Sequence, residues 1–145
     1  MSKFTDQTRE AADSGLAFEK ETVQALCKHL QAPWTILQDS ASAMRLTTGL
    51  NLAYQPDVVL LNESTGKSVA VELKRSLALS MPNLLKFKQI QSAYAKSGTD
   101  FVLVVYRSDE EKSADRRILE YGINTINASS AEQAAARIAE LFSRS

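Results

Sequence analysis

Two short runs of the chain are apolar on both faces that a strand would present. Residues 58–61 are Val-Val-Leu-Leu, and residues 101–106 are Phe-Val-Leu-Val-Val-Tyr. Because side chains alternate between the two faces of a strand, a strand without a polar face has to be covered on both sides. The two runs therefore predict an α/β fold in which helices lie on both faces of a sheet.

Helical and strand periods alternate along the rest of the chain. Leu16, Val23, Leu26 and Leu30 recur at helical spacing, which predicts an amphipathic helix over about residues 12–30. The other predicted elements are strands at 34–38, 57–62 and 68–74, a helix at 83–97, a strand at 101–106, a helix at 109–121, a strand at 123–126 and a helix from 129 or 130 to 143. The predicted order is α-β-β-β-α-β-α-β-α, a mixed sheet covered by helices on both sides.

Length and composition predict one globular unit. The 145 residues suit a single domain over 1–145 with one real core. No apolar stretch approaches the roughly 20 residues of a membrane span, and the N-terminus lacks the apolar segment of a signal peptide. The single cysteine, Cys27, excludes an internal disulfide framework. We therefore expect a cytoplasmic protein without a membrane partner.

The net charge of zero excludes a strongly basic nucleic-acid binder, but the cations are unevenly placed. The segment 67–107 holds two acids, Glu72 and Asp100, against the cations Lys67, Lys74, Arg75, Lys86, Lys88, Lys96 and Arg107. A basic middle on a neutral chain is compatible with a local phosphate-binding face. Solvated helices that collect lysine explain it equally well.

Three charged residues converge at one end of the predicted hairpin 57–74. Glu72 and Lys74 share one face of the second strand, while the other face is apolar. Pairing across the turn places Asp57, at the start of the first strand, near both of them. One interpretation is a solvated sheet face with an incidental ion pair. The other is a set of groups gathered for chemistry.

A fourth charged residue, Glu19, falls within the apolar stripe of the first helix, whereas Glu21 points to the opposite side. A carboxylate inside such a stripe is costly unless another group pairs with it or a metal binds it. The alternative is an acid placed at the helix N-terminal end, where the helix dipole favours it.

These residues resemble the PD-(D/E)xK nuclease superfamily. Pro56-Asp57 is followed, after fifteen residues, by Glu72-Leu73-Lys74 on the next strand, and Gly15-Leu-Ala-Phe-Glu19 is similar to the superfamily's first helix, which often carries a further metal-facing acid. The predicted order α-β-β-β-α-β is the superfamily's common core, so the resemblance covers roughly residues 12–107. It implies a restriction-endonuclease-like fold, a mixed β-sheet flanked by helices.

The resemblance also implies roles for the residues. Asp57, Glu72 and the backbone carbonyl of Leu73 would hold Mg²⁺ or Mn²⁺, with Glu19 as the additional acid, and Lys74 would orient the attacking water or steady charge on the phosphate. Such an all-oxygen set suits Mg²⁺, whose bound water is easier to deprotonate. The implied function is a nuclease that hydrolyses phosphodiester bonds, and we expect an endonuclease acting on DNA rather than RNA. Superfamily members often work as dimers, which leaves a homodimer open.

Two further interpretations remain open at this point. One keeps the fold as a catalytically silent nucleic-acid-binding or assembly module, and the other is a small interaction protein whose charges are incidental. Some branches of the superfamily place a glutamine four residues before a tyrosine on the second helix. Here Gln91 precedes Tyr94 by three, so we interpret it as a partly buried amide with backbone partners. His29, near a helix C-terminus, is interpreted as structural.

Overall fold

The computed structural model describes residues 17–37, 56–75, 80–107 and 120–143. Five strands form one sheet in the order β1 (Trp34–Leu37), β2 (Val58–Asn62), β3 (Ser68–Arg75), β4 (Asp100–Tyr106) and β5 (Thr125–Ala128). The helices are α1 (17–29), α2 (Met81–Lys96), α3, of which residues 120–121 are described, and α4 (Ala131–Ser143). The predicted α/β class is confirmed. Among these helices, none has both the length and the apolar character needed to cross a bilayer.

The sheet is mixed, and its directions change at β3. Strands β1, β2 and β3 form an antiparallel meander, and β3, β4 and β5 run parallel to one another. In this register Val58 is opposite Val71 across β2 and β3, and Lys74 is opposite Val105 across β3 and β4. The carboxyl end of β3 therefore lies beside the start of β2 on one side and the end of β4 on the other.

The turn between β2 and β3 is organised by one buried amide. Asn62 Oδ1 accepts hydrogen bonds from the backbone N–H groups of Ser64 (2.9 Å) and Thr65 (3.1 Å). Gly66 follows with a φ of 76°, a conformation that only glycine adopts without strain. This turn sets the pairing of β2 with β3, and hence which residues face each other at the far end of the hairpin.

The sheet is covered on both faces, and each face has its own apolar cluster. Helices α1 and α4 cover one face, where Leu26 and Ile138 pack against Val58, Val71 and Val104. Helix α2 covers the other, with Leu84, Phe87, Ile90, Ala93 and Tyr94 against Ala70, Phe101, Leu103 and Val105. The run in β4 lies between these two layers, as predicted. In β2, the other run without a polar face, Val58 and Leu60 join the cluster under α1 and α4, and Val59 is fully buried.

Two predicted elements differ from the structure by two residues, α2 at its start and β5 at both ends. Helix α2 begins at Met81 rather than 83, because Ser80 Oγ caps it by accepting from Asn83 N (3.3 Å) and Pro82 fits the first turn. Strand β5 covers Thr125–Ala128 rather than 123–126. Leu16 lies outside the described residues.

Residues 122–124, which precede β5, are held by a side chain of α2. Gln91 Nε2 donates to the carbonyl oxygen of Gly122 (2.9 Å), and Gln91 Oε1 accepts from the N–H of Asn124 (2.8 Å). The side-chain amide thus pairs with the backbone through both its N–H group and its oxygen, as the backbone of a neighbouring strand would. The interpretation of Gln91 as a partly buried amide with backbone partners is confirmed.

We expect Gln91→Ala to lower the free energy of unfolding by about 1–2 kcal/mol, because it leaves a backbone donor and a backbone acceptor without this partner. Gln89→Ala is the matched control, since Gln89 is an exposed glutamine on the same helix. Its effect should stay within about 0.5 kcal/mol. Urea denaturation measures both, and equal losses would contradict the assigned role of Gln91.

Candidate functional site

Glu72 occupies a buried position near the carboxyl end of β3. Ala70, two residues earlier on the same face, is fully buried under α2. The side chain of Glu72 is only 8% exposed, and that of Lys74, two residues further on, is 37% exposed. The solvated-face interpretation is therefore wrong for Glu72, because α2 lies over this face of the sheet. Along β3 this face is partly exposed at Ser68, at the start of the strand, and at Lys74, near its end.

The hairpin brings Asp57, Glu72 and Lys74 together, as the pairing across the turn predicts. Asp57 Oδ2 accepts a hydrogen bond from the backbone N–H of Leu73 at 2.7 Å. Lys74 Nζ lies 3.6 Å from Glu72 Oε1. The carboxylate of Asp57 is thus fixed against the backbone between Glu72 and Lys74. Two acids and one ammonium group share one end of the sheet.

Helix α1 adds Glu19 to this group. Phe18 is buried beside Tyr106, with ring centroids 4.9 Å apart, which holds the first turns of α1 against the sheet. Glu19, the next residue, is half-buried, and its carboxyl group interacts electrostatically with Asp57 and Lys74. Glu21 is exposed, as its position on the helix predicts.

Burial shifts two acids of this group, Asp57 and Glu19, toward their neutral form. It raises the pKa of Asp57 above its ordinary value, and the Leu73 N–H and the Lys74 charge offset part of that rise. Burial also raises the pKa of Glu19; the negative charge of Asp57 raises it further, and Lys74 lowers it. For both acids the desolvation effect exceeds the attraction of Lys74. The ionised forms of both acids are therefore disfavoured by their surroundings.

Tyr94 of α2 lies close enough to Glu72 to sense its charge. Burial, and then the negative charge of Glu72, raise the pKa of Tyr94 to about 12, so its hydroxyl stays protonated at neutral pH. The ring stacks on Phe101 at a centroid distance of 6.4 Å. Tyr94 is absent from the site residues predicted from the sequence. The signal that identifies it is its place on the apolar stripe of α2, which has to face β3 and β4.

The donor atoms at this end of the sheet suit a hard divalent cation. Within the described ranges, no three side chains of the His, Cys, Asp or Glu type form a metal-binding group. Mg²⁺ requires fewer, since it takes one or two carboxylates and completes its shell with water and substrate phosphate. Asp57 and Glu72 supply two carboxylates, Leu73 lies between Glu72 and Lys74 in the sequence motif, and burial raises the pKa of Asp57 and of Glu19 above their ordinary values. These residues fit Mg²⁺ or Mn²⁺, and a place for Glu19 among the ligands stays a prediction.

No protein-family model matches this chain, and neither a curated protein nor a solved structure matches it. A functional assignment therefore depends on the geometry of the hairpin site and on the motif that its residues form. The convergence of the charged groups is a property of the fold itself, because strand pairing and the covering helices produce it.

Asp57 can be separated into its charge and its hydrogen bond by two substitutions. Asp57→Asn keeps an oxygen for the Leu73 N–H but removes the charge that burial disfavours, so we expect it to raise the free energy of unfolding at pH 7 in metal-free buffer. Asp57→Ala leaves the N–H without this acceptor and should be about 1–2 kcal/mol less stable than Asp57→Asn.

The pH dependence has a defined sign. An acid whose pKa is raised by folding destabilises the folded protein above that pKa, and the penalty disappears as the pH falls through it toward the ordinary value of 3.8. The stability advantage of Asp57→Asn should therefore shrink between neutral pH and about pH 4. Urea denaturation with EDTA across this range measures it. An advantage that grows as the pH falls would mean that folding lowers the pKa of Asp57.

Proposed function

We propose that this chain is a divalent-metal-dependent nuclease that hydrolyses phosphodiester bonds, acting as an endonuclease on DNA. The observation that carries the proposal is the convergence of Asp57, Glu72 and Lys74, with the hydrogen bond from Leu73 N–H to Asp57 Oδ2 at its centre. The half-buried Asp57 and the buried Glu72, next to a partly exposed lysine, are suited to binding a metal ion together with a phosphate.

Each residue has a distinct task in this proposal. Asp57 and Glu72 would hold the cation, which when bound would activate water and neutralise charge on the phosphoryl oxygens. The Leu73 N–H fixes one oxygen of Asp57 and thereby orients its carboxylate plane. Lys74 reaches solvent beside Glu72, so its ammonium can donate both to the attacking water and to a non-bridging phosphate oxygen.

The arrangement of elements supports the same assignment. Helix α1, the meander β1-β2-β3, helix α2 and the parallel strand β4 follow one another in the order α-β-β-β-α-β. This is the core order of the PD-(D/E)xK superfamily that the motif resembles. The two motif acids lie just before β2 and near the end of β3.

The test is incubation of the protein with supercoiled, linear, single-stranded and branched DNA and with structured RNA, in Mg²⁺ or in EDTA. We expect cleavage of DNA in Mg²⁺ and none in EDTA, and a loss of roughly a hundredfold or more in Asp57→Asn and Glu72→Gln. Glu63→Gln is the matched control, because Glu63 is an exposed acid at the opposite end of the same hairpin. Its rate should equal that of the wild type.

Lys74→Ala separates binding from chemistry in the same assay. Ca²⁺ enters oxygen sites but takes longer bonds and more ligands, so we expect it to support DNA binding without cleavage. Lys74→Ala should still bind DNA in Ca²⁺ in a gel-shift measurement, yet cleave roughly a hundredfold more slowly in Mg²⁺. Full activity in EDTA, or wild-type rates in the Asp57 and Glu72 variants, would refute the proposal. Metal-dependent binding without any cleavage would favour the silent nucleic-acid-binding module.

Glu19 is tested by comparison with Glu21 on the same helix. We expect Glu19→Gln to raise the Mg²⁺ concentration needed for half-maximal cleavage about tenfold, because it removes one negative charge that interacts with Asp57. Glu21→Gln removes the same charge from the exposed side of α1 and should leave that concentration unchanged. Identical Mg²⁺ titrations for the two variants would favour the alternative interpretation, in which Glu19 is an acid placed at the helix N-terminal end by the helix dipole.

A further inference from the structure

Polar side chains end the two parallel strands beyond β3. Parallel strands bring their carboxyl ends to the same edge of a sheet, and ligands of open α/β sheets bind outside that edge. In the observed register Lys74 of β3 is opposite Val105 of β4, and Val105 is opposite Asn127 of β5. Arg107 follows the last residue of β4. Lys74, Arg107 and Asn127 therefore lie along one edge.

Strand alternation places Arg107 on the same face as Lys74. Leu103 and Val105 pack on the α2 side of the sheet, whereas Val104 and Tyr106 belong to the cluster on the α1 side. Arg107, two residues after Val105, therefore lies on the α2 side of the sheet. With strands ~4.8 Å apart and a rise of ~3.3 Å per residue, the Cα atoms of Arg107 and Lys74 are roughly 8 Å apart. Two long cationic side chains at this separation can reach groups on the same substrate strand.

The orientation of Arg107 is set by β5. Its backbone N–H donates to the carbonyl oxygen of Ala128 (2.8 Å), which extends the parallel pairing past the end of β4. Its Nε donates to Asn127 Oδ1 (2.9 Å), and the side chain is half-buried. A guanidinium held in this way loses less conformational freedom when it binds an anion than a solvated lysine does.

We propose that Arg107, oriented by Asn127, forms a phosphate-binding subsite that holds the nucleic-acid backbone beside the bond to be cleaved. The inference rests on the proposed nuclease function and assigns a substrate contact to residues outside the metal-binding motif. Asn127 occupies Nε and Nη2 is buried, so the phosphate contact relies on the positive charge of the guanidinium, which is delocalised and more weakly hydrated than an ammonium. Lys74 acts at the scissile phosphate, and Arg107 positions the strand that carries it.

Arg137 provides a matched control within the same structure. It lies on α4, is exposed, and its Nη1 donates to the backbone carbonyl oxygen of Asn127. Helix α4 packs against the opposite face of the sheet through Ala134 and Ile138. Arg107 and Arg137 therefore carry the same charge and contact the same residue, but only Arg107 shares a face with Lys74.

The experiment measures binding of a labelled DNA duplex by fluorescence anisotropy in Ca²⁺, over a series of NaCl concentrations. We expect Arg107→Ala to weaken binding about tenfold, and the slope of log affinity against log salt to become shallower by about 0.9, the value for one lost phosphate contact. Arg137→Ala should match the wild type in both. Asn127→Ala keeps the charge, so it should weaken binding with little change in slope, and Arg107→Lys should restore the slope.

Cleavage in Mg²⁺ supplies a second readout. We expect Arg107→Ala to raise KM about tenfold with a smaller change in kcat, because the contact is made to the flanking backbone rather than at the reacting atoms. Thermal melting checks that each variant folds, and Arg107→Gln takes the place of Arg107→Ala if the latter does not. Equal slopes and KM values for the Arg107 and Arg137 variants would overturn the inference while leaving the nuclease proposal intact. If the wild type binds DNA without cleaving it, the nuclease proposal is overturned, and the binding slopes then decide whether the Arg107 subsite exists. If the wild type neither binds nor cleaves DNA, both proposals are overturned.

Discussion

Strand β3 pairs with an antiparallel neighbour on one side and a parallel neighbour on the other, and the rest of the structure depends on this position. The antiparallel pairing with β2 brings Asp57 to the backbone of Leu73. The parallel pairing with β4 brings Arg107 to the edge where Lys74 ends. Because helices cover both faces, the charged residues near the end of β3 are removed from water to different degrees. The site is the place where a buried strand reaches solvent.

That position opposes stability. Burial raises the pKa values of Asp57 and Glu19, and the charge of Lys74 does not offset this rise. A core selected for stability alone would replace such a group with apolar side chains of similar volume. Clusters of acids whose ionised forms are disfavoured by their surroundings are concentrated at functional sites, where a bound cation or substrate supplies the missing charge. The proposed metal ion would offset the cost of burying these carboxylates.

Side-chain contacts between distant elements keep this arrangement in place. Gln91 ties α2 to the residues that lead into β5, so that the strand carrying Asn127 starts at a defined position. The ring of His29, at the end of α1, hydrogen-bonds to the carboxylate of Glu132 in the first turn of α4. This contact joins the two helices on one face of the sheet, in keeping with the structural interpretation of His29, which stays a prediction. Gln91 and His29 thus affect the site by holding helices and strands in position, rather than by touching the site residues.

The sequence by itself determined the local elements and the convergence at the hairpin. The alternation of side chains along β2 and β3 and the turn at Gly66 are encoded within a few neighbouring residues. The proximity of Asp57 to Glu72 follows from pairing across that turn. The tertiary structure alone decided that α2 buries Glu72 beside Tyr94, that Gln91 binds the backbone before β5, and that Arg107 joins the edge of Lys74. Those contacts depend on how a crossover helix returns to the sheet and on which register two parallel strands adopt. Both are fixed by packing between residues far apart in the chain, which no local pattern records.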